Sequence, residues 1–290
     1  VVLGEGKTVS SETSREKIDA LLSLHREDPV AFAHYCLTDA QLVLGILDKT
    51  GLLALTLKRA ALTGIGISKA WTSIPGFEFL YIEALHARGI VAPSMGVDPL
   101  PAGEAPGGAI LTPIPGIHRD VLVFDFKSLY PSVIRTFNID PAGYRGNEPG
   151  YRDDRTPPVS HEYIVSPNGA RFSREPGILP GLIDRFWRER DSAKQRGDPV
   201  ASYVYKIVMN SFYGVLGAPS CRFAGAALAG AITSFGQFVL RWSRDWFTNR
   251  GLRVLYGDTD SLFVTRPDAN SEDGAALADG LNQDLAEFVH

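Results

Sequence analysis

The sequence predicts an α+β fold, and three observations carry that prediction. The run Val121-Leu122-Val123-Phe124 is continuously apolar, the pattern of a strand buried on both faces, and it ends on Asp125. Residues 252–256 and 262–265 read as two further strands joined by an acidic turn. Between them, residues 180–196 and 199–213 read as two helices separated by Gly197-Asp198-Pro199, which makes an antiparallel helical hairpin.

The remaining elements follow from the amino terminus. Gly4-Glu5-Gly6-Lys7 reads as a loop, and residues 10–24 as a short helix. Asp28 is a good N-cap, and Pro29 suits the first position of a second helix. In that helix Phe32, Cys36, Val43 and Leu47 keep helical spacing to about Asp48. Residues 52–62 form another helix ending at Gly64, and residues 74–88 one opened by Pro75. Residues 91–116 are dense in Pro and Gly and read as a linker. Pro131 opens a helix through Val133, Ile134 and Phe137, whereas residues 138–174 read as irregular and polar. Residues 226–247 are helical, and the final helix carries the stripe Leu277, Leu281, Leu285 and Phe288.

Bulk composition sets limits. The 290 residues are 44% hydrophobic and 21% charged, enough for a buried core and about two domains, and unlike a disordered chain. The net charge of -4 gives no bulk attraction for nucleic acid, so any basic surface must be local. Two cysteines, Cys36 and Cys221, lie far apart, without zinc spacing, and suit a reducing cytoplasm. The expectation is that no apolar run is long enough to span a bilayer, and the first residues do not read as a signal peptide.

The sharpest local feature is Tyr256-Gly257-Asp258-Thr259-Asp260-Ser261. Two carboxylates at a hairpin tip repel unless a cation sits between them. Hard divalent ions such as Mg2+ take carboxylate oxygens together with substrate phosphates. Asp125 ends another strand, and neighbouring strands would bring the carboxylates together for a two-metal phosphoryl transfer. Taken by itself, the turn reads more readily as an ordinary Asp-rich turn, and the segment after Asp125 is what shifts the balance. Phe126-Lys127-Ser128-Leu129-Tyr130 then lies between a strand end and a helix start, where first-turn amides can cradle phosphate. On the helical hairpin, Lys206, Asn210 and Tyr213 share a face, as do Arg190 and Lys194. Arg190 precedes Gly197 by seven positions and Lys206 follows Asp198 by eight, so the three cations stand at similar height. A solvated basic face paired with Glu189 and Asp191 has the same pattern.

Together, Asp125-Phe126-Lys127-Ser128-Leu129-Tyr130-Pro131-Ser132, Lys206-Ile207-Val208-Met209-Asn210-Ser211-Phe212-Tyr213-Gly214 and the Tyr256 to Ser261 turn resemble, in order and spacing, the palm, fingers and second palm motifs of family B DNA polymerases. The resemblance implies a palm with a mainly antiparallel sheet and helical-hairpin fingers, preceded by a helical remnant of an RNase H-like 3′→5′ exonuclease domain. It implies these boundaries: exonuclease remnant 1–65, helix and linker 66–116, palm 117–177 and 218–290, and fingers 178–217. The chain would then begin inside the exonuclease domain and stop before a thumb.

The resemblance also implies roles. Asp125 and Asp260, with Asp258 nearby and the Phe126 carbonyl, would hold two Mg2+ ions, with Mn2+ able to substitute. Backbone amides of Ser128, Leu129 and Tyr130 would hold the triphosphate of a dNTP, as would Arg190, Lys194, Lys206 and Asn210. Tyr130 would gate against a ribose 2′-OH, and Tyr213 and Gly214 would contact the base pair and primer. Pro106-Gly107-Gly108 falls where the family touches template backbone. Tyr35 and Asp39 match the third exonuclease motif, and the earlier motifs are absent. Implied partners are primer-template DNA, dNTP and a sliding clamp, for a monomer in the bacterial cytoplasm, near the nucleoid and off the membrane. The rival readings are another palm nucleotidyltransferase, such as a reverse transcriptase, and a non-catalytic nucleic-acid-binding module. The block from Lys206 to Gly214 argues against the first; a primer-extension assay separates the second.

Overall fold

The computed structural model describes residues 3–4, 13–95, 107–148, 160–265 and 274–289, in two compact units, Val1–Trp71 and Thr72–His290. The predicted loop residues Glu5, Gly6 and Lys7, residues 10–12 of the first predicted helix, and Pro106 lie outside the described residues.

The first unit is helical, and its helix ends are written in the sequence. Helix α1 (Ser14–Glu27) starts on a capping box, in which Glu16 N–H donates to Thr13 Oγ1 at 3.3 Å and Thr13 N–H donates to Glu16 Oε2 at 3.2 Å. Helix α2 (Pro29–Thr50) starts where Asp28 Oδ1 accepts from Ala31 N–H at 2.9 Å. Gly51, at φ 62°, ends α2 and admits α3 (Leu52–Thr63). The indole of Trp71 donates to Thr56 Oγ1 at 2.9 Å and lies under the Arg59 guanidinium, tying the unit's end back onto α3.

Two expectations for α2 need correction. Of its residues only Tyr35 is buried, whereas Cys36 and Val43 on the predicted apolar stripe are exposed. Periodicity identified a helix but not the amount of cover. By length and composition α2 is also apolar enough to cross a membrane, contrary to the expectation that no run is. Asp39 stands at mid-helix, and a carboxylate there costs about 2.5–3.5 kcal/mol on insertion scales.

The second unit opens with α4 (Ser73–Ala87). It then contains β1 (Ile110–Leu111), β2 (Val121–Asp125), α5 (Leu129–Thr136), β3 (Tyr144–Asn147), β4 (Tyr163–Val165) and β5 (Ala170–Ser173). The hairpin helices are α6 (Ile178–Gln195) and α7 (Pro199–Leu216), followed by α8 (Ala226–Asn249), β6 (Arg253–Asp258), β7 (Ser261–Thr265) and α9 (Gly274–Val289). The main sheet has the order β1-β6-β7-β2 with every pair antiparallel. The architecture is α+β, as the sequence predicts.

Helix α8 backs this sheet because nearly its whole length is apolar or small. Phe247 is fully buried and meets the Phe124 ring at 4.6 Å, within a core of Leu240, Leu252, Leu262 and Val264. Leu277 and Leu281 of α9 close the same core, while Phe288 stacks on Phe238 and Trp242. Strand β2 corrects the sequence reading: Val121 is 36% and Val123 57% exposed, so only one face is covered. The continuous apolar run belongs to an edge strand, whose Leu122 and Phe124 alone reach the core. The stretch read as irregular contains a second sheet, β3-β5-β4. Its strands have only three or four residues each, too short for alternation to show.

A buried carboxylate fixes the base of the helical hairpin. Asp140 is 1% exposed; its Oδ1 accepts from the Tyr81 hydroxyl at 2.9 Å and from Leu179 N–H, in the first turn of α6, at 2.8 Å. Its Oδ2 accepts from Gly143 N–H at 3.1 Å. Beside it, Asn138 Oδ1 accepts from Gly177 N–H at 2.9 Å, and a Cβ on Gly177 would stand 2.9 Å from Asp140 Cβ. The network ties α4, α5 and α6 at one point. Asp140→Ala would strand two buried donors, the Tyr81 hydroxyl and Leu179 N–H, and should cost about 2–4 kcal/mol in urea unfolding. A loss below about 0.5 kcal/mol would mean that packing alone fixes the base.

Candidate active site

The acidic residues meet because β7 lies between β2 and β6. Ser261, its first residue, is the register partner of Asp125 on one side and Asp258 on the other. The strand ends are locked across the gap: Phe126 N–H donates to Asp260 O at 2.8 Å, and Asp260 N–H donates to Asp258 O at 2.6 Å. The turn is tight enough to place Thr259 at φ 53°, a left-handed conformation that a β-branched residue rarely adopts. Neighbours hold it there. Thr259 N–H donates to Ala109 O at 2.9 Å, and Gly108 lies so close that a Cβ would stand 2.9 Å from Thr259 Cβ. Gly257 is equally confined, since a Cβ would meet Leu262 at 2.8 Å and Leu111 at 2.9 Å. Gly107 is anchored in turn, its carbonyl accepting from Gln237 Nε2 of α8 at 2.7 Å.

The carboxylates are not equivalent. Asp258 is engaged by protein donors, the Tyr256 hydroxyl at 3.2 Å and the Thr259 hydroxyl at 3.0 Å. Burial, with the charges of Asp125 and then Asp258, pushes the Asp260 carboxyl above its ordinary range against the opposing hydrogen bond from its own amide. Among the described residues no group of three His, Cys, Asp or Glu side chains is placed to hold a metal by itself. That donor set fits Mg2+, which usually takes one or two carboxylates and completes its shell with water and substrate phosphates.

Beside the carboxylates, Ser128 sits at φ 50° and turns the chain from β2 into α5 without a side-chain cap on the first-turn amides. The Tyr130 ring lies 4.5 Å from the Tyr213 ring of α7 and packs near Gly236 of α8, where a Cβ would stand 3.5 Å from Tyr130 Cε1. Burial, followed by Tyr213 and the Asp260 charge, raises the Tyr130 phenol above its usual range.

On the helical hairpin, Arg190, Lys194 and Lys206 line one open cavity of about 450 Å³ with Gly197, Asp198, Pro199, Ser202 and Tyr203. Arg190 Nε and Nη1 are buried there without a hydrogen-bond partner, an unsatisfied cation of the kind an anion would complete. Lys194 is half exposed and lies 3.8 Å from Asp191, so that acid does partly pair with the basic face. Asn210 is exposed on α7 beyond the cavity lining, and Gly214 lines a separate groove with Thr72, Ser73, Ile74 and Pro75. In the first unit, Tyr35 and Asp39 stand one turn apart on α2, with Tyr35 buried and Asp39 half-buried. The sequence reading missed the supports of the turn: Thr259, Gly257 and Gln237. Only the glycine beside an acidic pair carried a signal, as a point of close backbone approach.

Comparisons with known proteins bear on the family to which the chain belongs. The family model "DNA polymerase family B" matches residues 76–290. DNA polymerase II of Escherichia coli is 40% identical over 95% of this chain and 34% of its own length. A DNA polymerase of Archaeoglobus fulgidus is 34% identical over 72% of this chain and 26% of its own length. Among solved structures, the family B DNA polymerase of the hyperthermophilic archaeon Pyrobaculum calidifontis superposes with a TM-score of 0.61 at 27% identity, covering 87% of this chain and 33% of that one. The chain thus spans about a third or less of these proteins, and it belongs to the family B DNA polymerases.

Proposed function

We propose that this chain holds the nucleotidyl-transfer centre of a template-directed DNA polymerase. A primer 3′-hydroxyl attacks the α-phosphate of a dNTP, the bond to the β-phosphate breaks, and pyrophosphate leaves. The observation that carries this reading is the meeting of Asp125, Asp258 and Asp260 around Ser261, beside the uncapped start of α5. Primer-template DNA and dNTP are the partners that this chemistry requires.

Asp125, Asp260 and the Phe126 carbonyl would hold two Mg2+ or Mn2+ ions, with Asp258 at the margin, where its oxygens already accept hydrogen bonds. When bound, such ions supply Lewis-acid stabilisation of the charge that develops on the reacting oxygens. The chain's own groups position the substrates. Amides of Ser128, Leu129 and Tyr130 bind triphosphate oxygens at a helix start. Arg190 offers two nitrogens, Nε and Nη1, without a partner among the described residues, while Lys194 and Lys206 act as point charges and Asn210 adds a polar contact from the exposed face of α7. Tyr130 excludes a 2′-hydroxyl by bulk, and its contact with Tyr213 stiffens that wall; Tyr213 and Gly214 meet the new base pair and primer end. Positioning and charge neutralisation do most of the catalysis.

The same reading assigns residues 117–177 and 218–290 to the palm, 178–217 to the fingers and 66–116 to a connection. Residues 1–65 would belong to a 3′→5′ proofreading unit, supported by Tyr35 and Asp39 one turn apart on α2. A bacterial cytoplasmic setting near the nucleoid, a monomeric state and a sliding-clamp contact complete the proposal. Identity to the Escherichia coli enzyme over 95% of the chain supports the setting.

Two tests follow from the site. Asp260→Asn should reduce primer extension by about 10²-fold or more, with primer-template binding retained. The Asp260 carboxyl is raised, so it gains its proton at a higher pH than an ordinary aspartic acid as pH falls. Mn2+ affinity should therefore weaken on acidification with a midpoint above the usual aspartate range, and Asp260→Asn should remove that step. Affinity that stays flat down to about pH 4 would contradict this placement. Separately, Lys206→Ala should slow single-turnover incorporation by about 10²-fold while weakening nucleotide affinity far less, because charge grows on the leaving pyrophosphate. Equal losses in both would make Lys206 a uniform binding contact.

A further inference from the structure

Lys127 is the second residue after Asp125, between the end of β2 and the start of α5. Its backbone is pinned at both sides. Phe126 N–H donates to Asp260 O at 2.8 Å, and Lys127 O accepts from Ser132 Oγ at 3.0 Å. Its side chain is not pinned in the same way. Lys127 is exposed, and among the described residues no carboxylate lies within ion-pair distance of it. The ammonium rests on an aromatic ring instead: Nζ lies 5.0 Å from the centroid of the Trp187 ring.

Trp187 belongs to α6, and Trp187, Arg190 and Lys194 fall at i, i+3 and i+7 along one side of that helix. The ring that carries Lys127 is thus one turn from Arg190, whose buried Nε and Nη1 have no hydrogen-bond partner among the described residues. A second cation shares the ring, with Arg135 Cζ 5.3 Å from its centroid. The two cations differ in their support. Arg135 also meets Asp184 at 3.5 Å, which offsets its charge, whereas Lys127 has, among the described residues, the ring and a like charge beside it but no carboxylate. A cation on an exposed ring face is held weakly compared with an ammonium hydrogen-bonded to a phosphate oxygen. An anion at the start of α5 would therefore draw Lys127 off the ring and relieve its repulsion with Arg135.

We propose that Lys127 is a further phosphate-binding residue of the nucleotide site, held on Trp187 until a triphosphate arrives. The proposal rests on the nucleotide-binding reading of the site. It adds a fourth cation, supplied from the strand-to-helix loop instead of the helical hairpin, and it makes Trp187 the reporter of the exchange. Because Lys127 and Trp187 lie on different elements, the ring contact also links the start of α5 to α6 before nucleotide binds, and the exchange releases that link.

The test uses the full 290-residue chain, deoxythymidine triphosphate with Mg2+, and tryptophan emission. Triphosphate binding should change the emission, and the change should vanish in Trp187→Phe. Lys127→Met should lose the emission change and weaken triphosphate affinity roughly tenfold, and Lys127→Arg should restore most of the affinity. Unaltered affinity in Lys127→Met, with Arg190→Ala weakened, would overturn the Lys127 role and leave the nucleotide site standing. A wild-type chain that binds no triphosphate, or whose affinity is indifferent to Arg190→Ala and Lys127→Met alike, would overturn both.

Discussion

The structure depends on one electrostatic conflict: Asp125 and Asp260 are held at adjacent strand ends, with Asp258 next in line. Like charges would separate if the chain were free to let them. Here Phe126 N–H binds Asp260 O, and Asp260 N–H binds Asp258 O, so backbone hydrogen bonds fix the spacing before any side chain is placed. Burial first, and then the Asp125 and Asp258 charges, raise the Asp260 carboxyl held there. A fold that holds such a conflict in place must over-determine it elsewhere.

Much of the second unit serves that purpose. Gly257 and Gly108 are placed where no side chain fits, which lets β1 and the residues before it close on the turn. Gln237 of α8 holds Gly107 from the other side, while Phe247 of the same helix anchors β2 through Phe124. The basic side chains that would face an incoming phosphate belong to a different substructure. They ride on α6 and α7, whose base is fixed by Asp140, Asn138 and Tyr81. Separating rigid acids from cations on a hairpin anchored at one end leaves the hairpin as the part that can respond to ligand. That division suits positioning chemistry, in which protein groups need only be in the right place with the right charge.

What was legible in the sequence follows from what is local. The caps at Asp28 and Asp198, the hairpin between strands, and the similar heights of Arg190 and Lys206 all arise within short stretches of chain, whereas the cap at Thr13 was read over by a helix begun at residue 10. The exposure of β2 was not legible, because an apolar run reads the same on an edge strand as in a buried one. Strands β3, β4 and β5 were missed because three or four residues are too few to show a periodicity. The exposed side of α2 shows the reverse limit: a helical stripe says that a helix forms, not what covers it. At the site, residue types revealed the acids and the bases. The contacts that set their behaviour join distant positions: Thr259 with Ala109, Gln237 with Gly107, and Lys127 with Trp187. No spacing rule brings those pairs together.

The central claim is that Asp125 and Asp260 share one site and repel in the absence of a cation. A double-mutant cycle on unfolding free energy tests it most directly, with Asp125→Asn, Asp260→Asn and the double variant compared at neutral pH, with and without Mg2+. Without metal, the double variant should gain less stability than the two single variants added together, with a coupling of about 0.5–1 kcal/mol. Saturating Mg2+ should stabilise the wild type alone and reverse the sign of that coupling. Additivity within about 0.3 kcal/mol, unchanged by Mg2+, would show that the two carboxylates do not share a site.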